Sequence, residues 1–356
     1  MIRPILLTGA SGFVGSEVLC ELYRMGLGGR VHLFLRKHPD EKSLISLRFR
    51  DANIKTDELT ARTHLVDLQD EKAFLKALED LAIISQEWIV IHLAAVINAK
   101  GDLKTQEEVN FKRTTQLISW ANKNAKSFIY TSSVVAFGAT PTPIIRNEES
   151  YPKYHFLNKL DGYSLSKRKA HDEILKTSKI NTCILCPGII HGAYEHAKSS
   201  RTHLKKILED KVNWLPSGGG AFVSLEYVAS EIILSALNEP LDSELKVKVL
   251  AEACLPYTNY LNLYRESAGL KTKNFKKIPH FFLWFAAAIY SLLKLFKIEI
   301  SIFSKLIQAQ MFYYFETLST QEEGIQIIFK AMKESLNSKI PAVELDQTTN
   351  TLNQPK

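Results

Sequence analysis

Tyr163 and Lys167 stand four residues apart in the stretch Tyr163-Ser164-Leu165-Ser166-Lys167. On a helix that spacing puts both side chains on one face. A free phenol titrates near 10 and is a poor proton carrier at neutral pH. An ammonium beside it favours the phenolate and draws the value down. A drop of about three units takes roughly 4 kcal/mol, which a partly dry site can supply. A tyrosine activated in this way can pass a proton to or from an oxygen whose carbon gains or loses a hydride. A second hydroxyl source, Thr131-Ser132-Ser133, closes an apolar run and can hold that oxygen.

The chain also carries the parts of a dinucleotide site. Thr8-Gly9-Ala10-Ser11-Gly12-Phe13-Val14-Gly15 lies between a predicted strand and a predicted helix. Glycines at these spacings let the backbone turn tightly, approach a pyrophosphate and pack helix on strand. The helix start then offers free N–H groups to the anion. The second strand ends in Arg36-Lys37, where an acidic residue would select the 2′-hydroxyl of NAD(H). A guanidinium there grips a 2′-phosphate, so NADP(H) is the expected cofactor and NAD(H) the alternative. Asp67-Leu68, closing the third strand, suits the adenine amino group. Leu93-Ala94-Ala95 leaves room for a ribose after the fourth, and Thr131 borders the cofactor at the end of the fifth.

These residues need a scaffold, and apolar runs alternating with helical patterns over the first 190 or so residues supply one. Strands are expected at Ile5–Thr8, Val31–Leu35, Thr63–Val66, Trp88–Ala95, Phe128–Ser132 and Thr182–Cys186, with a further one at Val247–Ala251 able to rejoin the sheet. Helices are expected at Phe13–Met25, Thr105–Asn122, Tyr163–Leu175, Leu204–Lys211 and Leu225–Leu237. The class is α/β: a Rossmann doubly wound parallel sheet with a smaller, mostly helical substrate lobe. Residues 1–190 with about 221–251 form the dinucleotide domain, and 191–220 with 252–336 the lobe. The polar tail 337–356 reads as disordered.

The bulk properties narrow the field. A net charge of +7 spread over 356 residues, without a basic stripe or a finger pattern, gives no support to nucleic-acid binding. Cys183 and Cys186 form a C-x-x-C with no second pair to complete a metal site, so both read as packing residues and no metal is expected. Four cysteines and an N-terminus that runs straight into a strand suggest a reducing, cytoplasmic location. Phe281–Leu293 is apolar but shorter than the roughly 20 residues that span a bilayer. It reads first as a buried helix of the lobe, and otherwise as a peripheral membrane contact through 279–296 or a border to an apolar substrate.

Taken together, T-G-A-S-G-F-V-G, H-L-A-A, Val109-Asn110, T-S-S, Y-S-L-S-K and Cys186-Pro187-Gly188-Ile189-Ile190-His191-Gly192 resemble the extended short-chain dehydrogenases/reductases of the NAD-dependent epimerase/dehydratase superfamily. The pieces lie in family order over roughly the first 240 residues. The resemblance implies Tyr163 as acid/base, and Lys167 as the group that lowers its pKa and holds the nicotinamide ribose. It implies Ser133 as the ligand of the substrate oxygen, with Ser132 as the fallback, and Asn110 as support for a water-linked proton path. Pro187, Gly188, Ile189 and Ile190 then flank the carboxamide. Homodimers are common in that family.

Val134 and Val135 stand where related dehydratases need an Asp-Glu pair, which argues against water elimination. Leu215–Gly220 and Phe222–Ala229, with the Ile278-Pro279 start of an apolar helix, resemble the dihydroflavonol reductase and 3β-hydroxysteroid dehydrogenase branch. The leucine-glycine-tyrosine signature near the C-terminus is missing, and Gly324 is a weaker match. The expected activity is reduction of a ketone, or oxidation of a secondary alcohol, on an apolar small molecule. The rivals are a nucleotide-sugar epimerase with tightly held NAD, an acyl-thioester reductase and a non-catalytic NADP(H) sensor. Arg201, Lys205 and Lys206 are the basic residues an epimerase would turn to a substrate pyrophosphate.

Overall fold

A computed structural model describes residues 3–55, 57–97, 103–151, 162–195, 201–238, 244–279 and 309–338, with 281, 285, 288, 289 and 292. The first half alternates strand and helix: β1 Ile5–Thr8, α1 Phe13–Arg24, β2 Val31–Leu35, α2 Leu44–Asp51, β3 Thr63–Leu65, α3 Glu71–Ile84 and β4 Trp88–His92. Then come α4 Leu103–Gln106, a π-helical stretch Glu107–Lys112, α5 Arg113–Asn124, β5 Ala125–Thr131, α6 Gly162–Thr177 and β6 Asn181–Pro187. The second half holds β7 Ile189–His191, α7 Arg201–Leu208, β8 Trp214–Leu215, β9 Gly219–Ser224, α8 Leu225–Leu237 and β10 Leu245–Leu250. It ends with β11 Ala253–Pro256, α9 Tyr257–Ser267, β12 Lys276–Lys277 and α10 Gln321–Asn337.

The main sheet has seven strands in the order β10-β6-β5-β4-β1-β2-β3, and every pairing is parallel. The chain leaves β1 toward β2 on one side and later reaches β4 on the other. That reversal opens a crevice beyond the carboxyl ends of β1 and β4, the place where such sheets bind ligands. Because helices cover both faces, the central strands are mostly apolar; β1 and β4 are buried throughout, including Thr8 and His92 at their carboxyl ends. One core gathers Leu6, Trp88, Val90, Phe128 and Tyr130, and the other Ile5, Leu7, Ile89, Ile91 and Ile129. Alternate residues of one strand therefore feed opposite layers.

The predicted strand at Val247–Ala251 joins the sheet as β10 beside β6. The long helix expected over Thr105–Asn122 is instead broken by the π-helical stretch around Asn110, a feature that hydrophobic periodicity does not encode. A small sheet of β11, β9 and β7 stands beside the main one, with a third apolar cluster of Phe222, Leu255, Tyr260, Phe275 and Ile328 behind it. The first reading of Phe281–Leu293 is a buried helix, yet among its described residues Phe281, Phe285 and Leu292 are exposed. Apolar composition reports that a surface avoids water, and not what covers it. The tail from 339 onward lies outside the described residues. Among the described residues no helix is long and apolar enough to cross a membrane. No described cluster of His, Cys, Asp and Glu could hold a metal ion.

Burial holds three histidines neutral, with pKa values pushed down to about 4 for His32 and about 3 for His92 and His171. Each sits below its unfolded value, so as pH falls from about 6.5 the unfolded chain takes up protons that the folded chain refuses. Stability is intact at neutral pH and declines through that window. At pH 5 the cost is about 2 kcal/mol for each fully buried imidazole, and less for half-buried His32. Thermal melts should show a lower Tm at pH 5 than at pH 7.5; an equal or higher Tm would contradict this account.

Candidate active site

The glycine turn after β1 is shaped by close approach. Gly9 has φ +79, and a Cβ there would lie 2.6 Å from the backbone nitrogen of Ala94. A Cβ on Gly15 would lie 2.1 Å from the Gly9 carbonyl oxygen. These two glycines let the start of α1 and the end of β4 close on the turn. The turn itself is fixed by the Gly12 N–H donating to the Gly9 carbonyl at 2.9 Å. Gly12 caps α1 without a side-chain hydrogen bond, and no acidic residue stands in the first turn. The helix N-terminus thus presents backbone N–H groups beside exposed Ser11 and Gly12, with Phe13 and Val14 half-buried behind them.

Arg48, on α2, braces this turn from below. Its guanidinium donates to Ser16 Oγ at 3.0 Å and to the Ala193 carbonyl at 2.8 Å, and pairs with Glu17. Arg36 is exposed at the end of β2 with no carboxylate partner among the described residues. Lys37 is also exposed but pairs with Asp40 at 2.8 Å, which holds that carboxyl below its ordinary range. Asp67 is exposed and accepts from the Gln69 N–H at 2.9 Å, while the Leu68 carbonyl accepts from buried Arg113 at 2.9 Å. Leu93, Ala94 and Ala95 lie half-buried across the turn.

Lys167 is 2% exposed. Its Nζ donates to the Thr131 carbonyl at 2.7 Å and lies 4.8 Å from the centroid of the Tyr130 ring. Burial draws this ammonium down to about 7, and the carbonyl and the ring face are its compensation. Tyr163, one turn earlier on the same helix, is half-buried. The two serines after Thr131 part company, as neighbours on extended backbone do. Ser132 is buried and its Oγ meets His171 Nδ1 at 3.3 Å in the core. Ser133 is half-buried and caps the turn Val134–Phe137, its Oγ accepting from the Val135 N–H at 3.4 Å. Ser133 is therefore the serine whose hydroxyl is not spent inside.

Asn110 is 1% exposed and fully engaged. Its amide brackets the backbone of Val96, accepting from the N–H at 2.7 Å and donating to the carbonyl at 3.0 Å, and it donates to Ser166 Oγ at 3.0 Å. Ser166 Oγ in turn donates to the Tyr163 carbonyl at 2.9 Å. The side chain thus ties the loop after β4 to the helix that carries Tyr163 and Lys167. Pro187 closes β6, Gly188 follows, and Ile189 and Ile190 begin β7. A Cβ on Gly188 would lie 2.4 Å from the Ala221 carbonyl, so β9 sits hard against this bend.

Two residues escaped sequence reasoning. His92 meets Thr8 Oγ1 at 2.6 Å and Thr114 Oγ1 at 2.9 Å, and that threonine donates to the Asn110 carbonyl at 2.9 Å. With the Thr114 proton so committed, His92 Nε2 carries the hydrogen and Nδ1 accepts from Thr8. This buried chain joins β1, β4 and α5 beneath the crevice. Tyr130, which floors Lys167, is the other. The only signals were a histidine before Leu93 and a tyrosine before Thr131, both hidden in apolar runs. Of the basic residues noted for an alternative chemistry, Lys205 and Lys206 are exposed on α7, and the side chain of Arg201 lies outside the described residues.

A glycine turn at a helix N-terminus and a tyrosine–lysine helix, at the carboxyl edge of a doubly wound sheet, are the arrangement of the extended short-chain dehydrogenase/reductase class. More narrowly, residues 6–243 match the 3-beta hydroxysteroid dehydrogenase/isomerase family, and the chain belongs to it.

Among curated proteins, the chain is 25% identical over 262 residues to a polyketide synthase–nonribosomal peptide synthetase of Phaeosphaeria nodorum, covering 70% of this chain and 6% of that protein. It is 23% identical over 152 residues to a UDP-N-acetyl-alpha-D-glucosaminuronate decarboxylase of Bacillus cytotoxicus, 42% of each. The chain thus spans less than half the length of these relatives. Among solved structures, gox2253 aligns with a TM-score of 0.70 at 19% identity, over 94% of this chain and 97% of that one. A UDP-glucuronic acid 4-epimerase from Bacillus cereus, in complex with UDP-glucuronic acid and NAD, aligns with a TM-score of 0.59 at 17% identity, over 93% and 99%. At these identities the likeness to solved structures is one of fold.

Proposed function

We propose that this chain is an NADP(H)-dependent oxidoreductase that reduces a ketone, or oxidises a secondary alcohol, on an apolar sterol-, flavonoid- or lipid-like substrate. The observation that carries the reading is the buried Lys167 ammonium, held on the Thr131 carbonyl one helical turn from Tyr163. The residues present fit a nicotinamide dinucleotide. Gly9 and Gly15 let the backbone close into a tight turn at the start of α1, and the buried Thr131 Oγ1 has no hydrogen-bond partner among the described residues.

Bound there, the dinucleotide supplies or accepts the hydride. The backbone N–H groups of Ser11 and of Phe13 to Gly15 would hold its pyrophosphate. Arg36 would hold the 2′-phosphate and Asp67 the adenine. Leu93 to Ala95 would leave room for the ribose, and Pro187 to Ile190 would hold the carboxamide. Ser133 holds the substrate oxygen by hydrogen bond. Tyr163 passes the proton at that oxygen, and Lys167 stabilises its phenolate. Asn110 positions this helix through Ser166.

One test addresses the cofactor. Arg36→Asp removes a charge-assisted grip and adds repulsion, so NADPH should bind about tenfold to a hundredfold more weakly in the variant. NADH binding should be unchanged or improved. Fluorescence titration of both nucleotides measures this, and an unaltered NADPH affinity would reject the role given to Arg36.

The second reading is a nucleotide-sugar epimerase, favoured by the likeness to an epimerase structure that holds UDP-glucuronic acid and NAD. It predicts NAD retained through purification. The match to the Phaeosphaeria nodorum synthetase makes an acyl thioester a third substrate to offer.

A further inference from the structure

From Ser267 to Ile298 the sequence holds six lysines and no aspartate or glutamate. Within this stretch Phe281, Phe285, Ala288, Ile289 and Leu292 are helical. Their spacing puts them on one helix face. That face is turned outward: Phe281 is 64% exposed, Phe285 65% and Leu292 58%. Immediately upstream, exposed Lys276 and Lys277 form β12 alongside β8. The Lys276 ammonium lies 5.5 Å from the ring centroid of Trp214, itself 54% exposed. Lys271, Lys276 and Lys277 are exposed and have no carboxylate partner among the described residues.

We propose that this face docks on an anionic membrane surface, Phe281, Phe285 and Leu292 entering the interfacial layer while Lys271, Lys276 and Lys277 meet lipid phosphates. An apolar helix face flanked by lysines and an indole is what a surface of apolar interior and anionic headgroups receives. The charge decides between occupants. In a two-fold dimer a patch faces its own copy, which would set the lysines against lysines. An anionic bilayer neutralises them. The surface belongs to the proposed substrate lobe, so docking would bring that lobe to where apolar substrates partition.

Flotation with phosphatidylcholine vesicles, with and without phosphatidylglycerol, tests this on the full chain. The protein should float with the anionic vesicles and at least about tenfold less with the neutral ones, the difference shrinking in high salt. Lys276→Glu with Lys277→Glu should weaken anionic binding by more than about twentyfold, from about fivefold per lysine. Phe281→Asp with Phe285→Asp should weaken it by at least about tenfold. Circular dichroism with a thermal melt serves as the folding control, and the lysine pair decides alone if the phenylalanine variant fails it. Absent flotation, or equal binding to both vesicles, would overturn the proposal. So would a phenylalanine variant that turns a dimer into a monomer while vesicle binding stays unchanged.

Discussion

Replacing Tyr163 by Phe should lower turnover about a thousandfold while leaving NADPH affinity where it was. Phenylalanine keeps the ring that packs on α6 and removes only the hydroxyl. A positioned acid/base contributes typically 10²–10⁴ in rate, and no other described group stands ready to replace it. His171, the nearest imidazole on the same helix, is committed to Ser132 and held neutral in the core. Asn110 has both amide atoms engaged. Steady-state rates with the best substrate of a ketone panel, alongside fluorescence titration, separate the two effects. A variant that keeps a tenth of its turnover would show that the proton travels by another route.

Lys167→Met should be comparably damaging, with a different signature: both turnover and cofactor affinity fall. Burial lowers this ammonium to about 7 in the cofactor-free protein. A dinucleotide brings negative charge, favours the protonated lysine and raises its pKa, so binding is linked to proton uptake. The sign follows. Below about pH 7 the charge is already present and affinity is flat. Above it, each pH unit requires more work to restore the proton, and the Kd should rise by up to about tenfold per unit. Titrations between about pH 6 and pH 9 should show that limb in the native protein and lose it in Lys167→Met. A native Kd that does not change with pH would mean the ammonium is never lost.

Much of this was legible in the sequence because it rests on local rules. Ile5–Thr8, Gly9, Gly12 and Gly15 announce a strand, a turn and a helix start without long-range information. Tyr163 and Lys167 share a helix face by spacing alone. What escaped depends on contacts between distant segments. Nothing local tells that Arg113 is buried on the Leu68 carbonyl, or that His92 links Thr8 to Thr114. The π-helical break at Asn110 reflects a side chain tied to Val96 and Ser166, 14 and 56 residues away. The outward face of Phe281 and Phe285 was misread for the same reason, since apolar periodicity gives a face but not its partner.

The most direct test of the central claim offers the purified protein NADPH deuterated at C4 of the nicotinamide, together with ketones of the sterol, flavanone and aliphatic classes. The account predicts that NADPH is consumed in step with one ketone and that deuterium appears on its new carbinol carbon. If instead the protein arrives carrying NAD, ignores NADPH and interconverts a UDP-sugar without net redox, the proposed activity is wrong and the chain is an epimerase.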